Sequence, residues 1–174
     1  MYPNNAFFIA DFHFDHKNII RYCNRPFQTV EEMNETMLRN YNEIVSGDST
    51  IYFLGDMAFG RDSRTPKWWL SQLRGHIIYI KGSHDKGLRP TNLKDCYNSL
   101  ALETGTGKVY LVHNPIDVPP EWKGWTIHGH THSTRLVDKH QKRVCVGVEA
   151  TNYKLISLQQ IREAIQNSCH DVRS

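Results

Sequence analysis

Residues 125–132 read Trp-Thr-Ile-His-Gly-His-Thr-His, and this stretch places three histidines within five positions directly after a short apolar run. The apolar run is typical of a buried strand. Imidazole rings are polar, so a cluster of them at a strand end contributes little to packing. The stretch therefore predicts a strand that delivers histidines to a binding or catalytic site.

The composition predicts an ordinary globular protein. The chain has 174 residues, of which 39% are hydrophobic and 22% charged, with a net charge of +3. We expect a single domain over residues 1–174. The apolar runs are too short to span a bilayer, and the first residues show no signal-peptide pattern, so a cytoplasmic location is expected. No CxxC pair occurs, which predicts reduced thiols at Cys23, Cys96, Cys145 and Cys169.

Strand and helix patterns alternate through the first half of the chain. Strands are predicted over residues 6–10, 50–54 and 76–80. A capping box at Thr29–Glu32 starts a helix that runs to about Val45, and Thr65-Pro66 starts another that ends at Gly75. The second half is mostly strands (98–103, 108–112, 125–127 and 144–148), with a hairpin turn at 104–107 and a last helix over roughly 158–167. This order predicts an α/β fold, a parallel sheet joined to a more antiparallel part, with helices outside.

Metal-binding and acid–base side chains follow most of these strands. In open α/β sheets, ligands bind beyond the carboxyl ends of the strands. A single Asp or His at a strand end is usually a turn or surface residue, but this ordered set is hard to explain by chance. Its members are Asp11, His13, Asp56, His84, Asp85, His113, His128, His130 and His132.

The ordered set resembles the calcineurin-like metallophosphoesterase superfamily. Residues 11–27, DFHFDHKNIIRYCNRPF, and 54–60, LGDMAFG, are similar to its small stand-alone branch. The resemblance implies a four-layer α-β-β-α sandwich, in which two packed mixed sheets are flanked by helices. It also implies a metal site on the strand-end loops, with the ligands Asp11, His13, Asp56, Ser83, His113, His130 and His132.

Within that implied site each residue has a role. Asp11, His13 and His132 would hold the first ion, and His113 and His130 the second, with Asp56 bridging both. His84 would act as the general acid, and Asp85 would orient its ring. His128 lies outside the motif and is expected to be structural. Two divalent transition-metal ions are implied, with manganese preferred and iron, nickel or zinc as alternatives.

The implied reaction is hydrolysis of a phosphate ester by a hydroxide that the two ions generate from water. Phosphodiesters are preferred over monoesters, and a small nucleotide or a nucleic-acid end would suit a compact site. No membrane or protein partner is indicated. Arg25 is a candidate clamp for the substrate phosphate, or else a packing residue, and His16 could also face the substrate.

One position departs from the family pattern. The family has Gly-Asn-His-Asp or Glu, with the Asn oxygen on the second metal, whereas this chain reads Gly82-Ser83-His84-Asp85. A hydroxyl is a poorer ligand than an amide oxygen, so weaker binding of the second ion is expected. A catalytically weakened binding or scaffold protein is therefore the alternative. A metallo-β-lactamase-type site is disfavoured, because Asp11 stands at the first His position of that motif.

Overall fold

The computed structural model describes residues 5–85, 93–105 and 107–168, so Cys169 and residue 106 of the predicted hairpin turn lie outside it. Its α-helices are α1 Lys17–Tyr22, α2 Val30–Ile44, α3 Pro66–Leu70 and α4 Leu158–Ser168, and a short 3-10 helix covers Pro115–Asp117. Its strands are β1 Ala6–Ile9, β2 Thr50–Phe53, β3 His76–Ile80, β4 Cys96–Tyr97, β5 Ser99–Glu103, β6 Lys108–Val112, β7 Trp125–His128, β8 Val137–Asp138, β9 Arg143–Cys145 and β10 Ile156–Ser157. None of the described helices is long and apolar enough to cross a membrane.

The strands form two mixed sheets of five strands each. The first has the order β10-β1-β2-β3-β4, with β1 to β4 parallel and β10 antiparallel to β1. The second has the order β5-β6-β7-β9-β8, with parallel pairs at its centre and antiparallel pairs at both edges. This arrangement confirms the predicted α/β sandwich of two mixed sheets.

Two apolar clusters hold the layers together. One packs the first sheet against α2 and α3, through side chains such as Met37, Tyr41 and Trp69. The other lies between the sheets, where Phe8 and Leu54 of the first sheet share a cluster with side chains of the second and with Ile161 of α4. The parallel strands of the first sheet are thereby covered by apolar clusters on both faces, as is usual for parallel strands joined by helices.

The helix starts agree with the sequence signals. The Thr29 hydroxyl accepts a hydrogen bond from Glu32 N at 3.1 Å, and the Glu32 carboxylate accepts one from Gln28 N at 2.8 Å. The helix that starts at Thr65-Pro66, α3, ends earlier than predicted, at Leu70. The Ser71 hydroxyl donates to the carbonyl of Trp68 at 2.6 Å, and such a local bond competes with helix continuation.

The predicted strand over residues 144–148 is divided between the two sheets. Cys145 ends β9 in the second sheet, and Val146 N then donates to His128 O at 2.8 Å. The carbonyl of Val146 accepts from Ala10 N at 2.9 Å, and Ala10 pairs with Gly147 in a parallel bridge. This crossing brings Glu149 to the end of β1.

Two glycines let the loops after β2 and β3 touch. A Cβ on Gly55 would lie 2.5 Å from Gly82 Cα and 2.8 Å from His113 Nδ1, and a Cβ on Gly82 would collide with the backbone nitrogen and carboxylate of Asp56. Gly55 also has a φ of +86°, which favours glycine. The close approach fixes Asp56 against the loop that carries His84.

We expect Gly82→Ala to lower the free energy of unfolding by about 1–3 kcal/mol, because the added methyl group overpacks a backbone contact. Gly47→Ala is the matched control, since a Cβ there meets nothing within 4 Å. Thermal or urea unfolding followed by circular dichroism measures both. Equal stability of the two variants would contradict the close contact.

Candidate metal centre

The carboxyl ends of β1, β2, β3, β6 and β7 meet at one edge of the sandwich. Each of these strands is followed by at least one of the predicted site residues. The structure brings them together in two groups whose ligand atoms lie within 4.8 Å of one another. The first group is Asp11, His13 and His132, and the second is Asp56, His113 and His130.

Both ring nitrogens of His13 are buried and have no hydrogen-bond partner among the described residues. His13 is 2% exposed, so water does not solvate its ring in place of a partner. An unpartnered buried imidazole is costly unless it ligates something. Together with Asp11, which is fully buried, His13 forms a site whose donors fit a cation.

Asp56 connects the two groups. Its Oδ2 lies 3.3 Å from His113 Nε2 and 3.6 Å from His13 Nε2, so this one carboxylate faces a histidine of each group. His130 Nδ1 lies 3.3 Å from His113 Nε2 on the same side. A carboxylate placed between two ligand groups can contribute to both.

Candidate ligands also occupy strained backbone conformations. The left-handed region costs a non-glycine residue free energy and is kept where the surrounding structure enforces it, often at functional sites. Five candidate ligands have positive φ: Asp11 at 61°, His13 at 50°, Asp56 at 56°, His130 at 66° and His132 at 48°. The strain at these five positions is consistent with a functional site, although five other non-glycine residues of the described chain share the conformation.

Hydrogen bonds orient two of the candidate histidine ligands. His113 Nδ1 donates to the carbonyl of Leu54 at 2.7 Å, and His132 Nδ1 donates to Glu149 Oε1 at 3.1 Å. In each ring the bond leaves Nε2 to act as a ligand. Metal-binding histidines commonly donate their other ring N–H to a carbonyl or carboxylate in this way.

The predicted role of Arg25 as a phosphate clamp is corrected by its position. Arg25 is 4% exposed, and its guanidinium donates to the carbonyls of Asp11 and Phe12, each at 2.8 Å. Its Nε and Nη2 also contact Glu149 Oε1 at 2.9 and 2.8 Å. The side chain therefore lies beneath the loop that carries Asp11, with its donors already used, and cannot reach a substrate.

Asp85 also differs from its predicted role. Its carboxylate is fully buried and accepts hydrogen bonds from the backbone nitrogens of Asp56, Met57 and Gly82, at 2.9, 3.1 and 2.7 Å. These bonds join the loop after β2 to the loop after β3. Asp85 thus positions backbone around Asp56, and no hydrogen bond to the His84 ring is found within the described part of the chain.

The remaining predicted residues lie around the rim. The His84 side chain is 40% exposed, with Nε2 at 4.0 Å from Asp56 Oδ2. The Ser83 hydroxyl is 3.4 Å from His130 Nδ1, and the His16 ring centroid is 5.6 Å from that of His13. His128 is buried and bonds to the carbonyl of Gly129, in keeping with the structural role expected for it.

Burial and mutual charge shift the titration of these groups. Burial raises the pKa of Asp11 to about 7 although His113 and His132 act to lower it, and burial lowers the pKa of His13 to about 3. Burial acts against the charged forms of Asp56 and His113, but their mutual interaction outweighs it, lowering the pKa of Asp56 and raising that of His113. Buried negative charge is therefore compensated here only in part, as expected at a cation site.

A third set of potential ligands shares His132 with the first group: Cys23, His132 and Glu149. It fits a metal less well. Burial and the charge of Glu149 raise the pKa of the Cys23 thiol to about 11, which disfavours the thiolate that would ligate. Glu149 is already engaged by Arg25, whose positive charge opposes a cation. The nitrogen and oxygen donors of the first two groups remain the better site.

Glu149 is a candidate site residue that the sequence interpretation missed. It ends the run Val146-Gly-Val-Glu149 after β9, so a carboxylate at a strand end was the available signal, the same signal that identified Asp56. Burial would raise its pKa, yet the contacts with His132 and Arg25 lower the pKa to about 2. Glu149 is therefore an anion that links His132 to Arg25.

Comparison with solved structures supports the fold. A crystal structure of the protein of unknown function AQ665 from Aquifex aeolicus has a TM-score of 0.71 and 25% identity, covering 91% of this chain and 97% of that chain. A structure of an archaeal phosphodiesterase has a TM-score of 0.46 and 18% identity over 82% of this chain and 81% of that one, a likeness too weak to bear on function.

No family model matches the chain. Among curated proteins, the uncharacterized protein MJ1445 of Methanocaldococcus jannaschii is 38% identical over 173 residues, which cover 95% of this chain and 94% of that protein. Identity at this level along nearly the whole of both chains shows that this protein belongs to the same family as MJ1445.

Proposed function

We propose that this protein is a metal-dependent phosphoesterase that hydrolyses phosphodiesters, with monoesters as a second substrate class. The observation that supports the proposal is the sharing of Asp56 between two ligand groups, with the exposed His84 beside it. A phosphate ester at this edge would meet cation sites and a proton donor together.

The cofactor that fits this donor set is a pair of divalent transition-metal ions. Carboxylate oxygens and imidazole nitrogens suit manganese, iron, nickel or zinc, and we propose manganese. When bound, such ions neutralise the charge of a phosphate and acidify water. Asp11, His13 and His132 would hold one ion and His113 and His130 the other, with Asp56 on both.

His84 is proposed as the acid that protonates the leaving oxygen. Its backbone nitrogen donates to Asp56 Oδ1 at 2.8 Å, which fixes the loop relative to the ligands. Its ring packs edge-on against His13 and Phe59, with centroid distances of 5.5 and 4.5 Å. The ring is thus held at the rim, open to a substrate and beside the phosphate position.

A scaffold function remains the second candidate, and Ser83 is the observation that favours it. The short hydroxyl lies 3.4 Å from His130 Nδ1, next to the second ligand group. It offers that ion a weaker donor than an amide oxygen would. A protein that holds only one ion tightly would bind phosphorylated partners with little turnover.

We expect manganese-dependent hydrolysis of a dinucleoside monophosphate and of bis-p-nitrophenyl phosphate. His84→Ala should slow the dinucleotide reaction by about 10²–10⁴-fold, because its alkoxide leaving group needs a proton. Nitrophenolate leaves without one, so the loss there should be much smaller. Product release followed by chromatography and absorbance measures both, with the exposed His140→Ala as the control. Equal losses of rate on both substrates would contradict the role of His84 as the acid. If neither substrate were hydrolysed in a metal-dependent way, the proposed phosphoesterase function would be contradicted.

Ser83→Asn should tighten binding of the second ion, because the asparagine side chain is longer and its amide oxygen is a better ligand than a hydroxyl. Calorimetric titration with Mn²⁺ measures both binding steps. Ser83→Ala is the control and should not tighten binding, because it supplies no oxygen to the ion. Two equally tight ions in the unaltered protein would show that Ser83 causes no weakness.

Glu149→Gln should weaken binding of the ion at Asp11, His13 and His132 by about 10–100-fold, because the variant lacks the carboxylate that orients the His132 ring. The second ion should bind as before. The same titration measures both steps, with the exposed Glu163→Gln as the matched control. A variant that is less stable yet binds both ions normally would reduce Glu149 to a structural residue.

A further inference from the structure

A cavity of about 450 Å³ opens beside His84. Most of its wall is the loop between β2 and α3, and its lining includes Phe59, Gly60, Arg61, Arg64, Pro66 and His84. A second cavity of about 370 Å³, at Ser83 and His113, lies next to the other ligand group and does not include His84. The proposed proton donor therefore opens into the first cavity.

Phe59 gives this cavity an apolar platform. The side chain is 40% exposed and lines the cavity. Its ring centroid lies 4.5 Å from that of His84 and 4.7 Å from that of His16. An aromatic or heterocyclic group that entered the cavity would meet this ring directly beside the acid.

Arg61 gives the same cavity positive charge, and Arg64 lies at its border with a neighbouring cavity. The Arg64 guanidinium stacks over the Trp68 ring at 4.3 Å, which limits its movement. Arg61 makes no hydrogen bond or ion pair within residues 5–85, 93–105 and 107–168. Asp62 lies between them in sequence and lines a neighbouring cavity, which Arg64 and Trp68 also line. The Arg61 guanidinium is thus available to an anion in the first cavity.

Asp15 ties this loop to the metal centre. Its Oδ2 accepts hydrogen bonds from Arg64 N at 2.9 Å, from Trp69 Nε1 at 3.0 Å and from the Ser63 hydroxyl at 3.3 Å. Its Oδ1 accepts from Asn34 Nδ2 at 2.9 Å. Asp15 follows His13 by two residues, so the wall that carries Arg64 is fixed relative to the candidate ligands.

We propose that this cavity binds the leaving group of the reaction and that the leaving group is a nucleotide, with its base against Phe59 and its own phosphate at Arg61. The inference rests on the proposed phosphoesterase function. In the reaction a water oxygen bonds to phosphorus, the bond from phosphorus to the leaving oxygen breaks, and that oxygen takes a proton from His84. The leaving oxygen must therefore lie at His84, and the group attached to it enters this cavity.

The test measures binding, so that it does not depend on turnover. The full chain is titrated with adenosine 5′-monophosphate, adenosine and ribose 5-phosphate in a calorimeter, with and without saturating Mn²⁺. Base stacking on an aromatic side chain should make the nucleotide bind about tenfold more tightly than ribose 5-phosphate in both states. It should also bind more tightly than adenosine, because Arg61 would contact the phosphate.

Two variants locate the binding. Phe59→Leu keeps apolar volume without a ring and should remove the advantage over ribose 5-phosphate, and Arg61→Gln should reduce the advantage over adenosine. The controls are Tyr97→Leu, equally exposed but outside the cavity, and the exposed Arg39→Gln. A nucleotide that binds no better than ribose 5-phosphate, or equally well to Phe59→Leu, would overturn the proposal. Nucleotide binding without any hydrolysis would instead contradict the phosphoesterase function, and the cavity would still be a nucleotide-binding site.

Discussion

The carboxylate of Asp56 is the constraint on which the rest of the site depends. It is 1% exposed, and its Oδ2 faces the rings of His13, His84 and His113 at 3.6, 4.0 and 3.3 Å. A buried anion is costly unless charges or hydrogen bonds surround it. The close glycine contact and the bonds from Asp85 hold the backbone that presents it. Loops from β1, β2, β3 and β6 are therefore arranged around one oxygen atom.

A second buried carboxylate, Glu149, supports the opposite side of the site. The Arg25–Glu149 pair is fully desolvated and spans 124 positions of the sequence. Arg25 also holds the carbonyls of Asp11 and Phe12, and Glu149 holds His132. Such a pair adds little net stability, but its geometry is specific. It fixes the position of the loop that contains Asp11 and His13.

The motif Asp11-Phe-His-Phe-Asp15 shows how two carboxylates four residues apart take different tasks. Asp11 turns inward, where it accepts from His130 N and lies among the candidate ligands. Asp15 turns away and accepts hydrogen bonds from Arg64 N in the loop before α3 and from Trp69 Nε1 within α3. One short segment thus connects the metal centre to the wall of the neighbouring cavity. The positive φ of both residues allows the two side chains to diverge.

Much of the fold was predictable because local signals decided it. The capping hydroxyls of Thr29 and Thr65 mark helix starts, and the apolar runs before Asp11, Asp56 and His113 mark strands. The short elements α1, β4, β8 and β10 were not predicted, and two boundaries differed from the prediction. At the end of α3 the Ser71 hydroxyl competes for the carbonyl of Trp68, and the strand after Arg143 is divided because its backbone bonds first to β7 and then to Ala10. These boundaries are set by the hydrogen-bond partners of the backbone, and the local sequence does not identify those partners.

The candidate site follows the same division. The sequence by itself determined which residue types end the strands and in what order, because parallel strands bring their carboxyl ends to one edge whatever lies between them. Only the tertiary structure decided what each charged residue touches. It buried Arg25 against Glu149 and turned Asp85 toward backbone nitrogens, since partners that lie far apart in sequence become neighbours only when the two sheets pack.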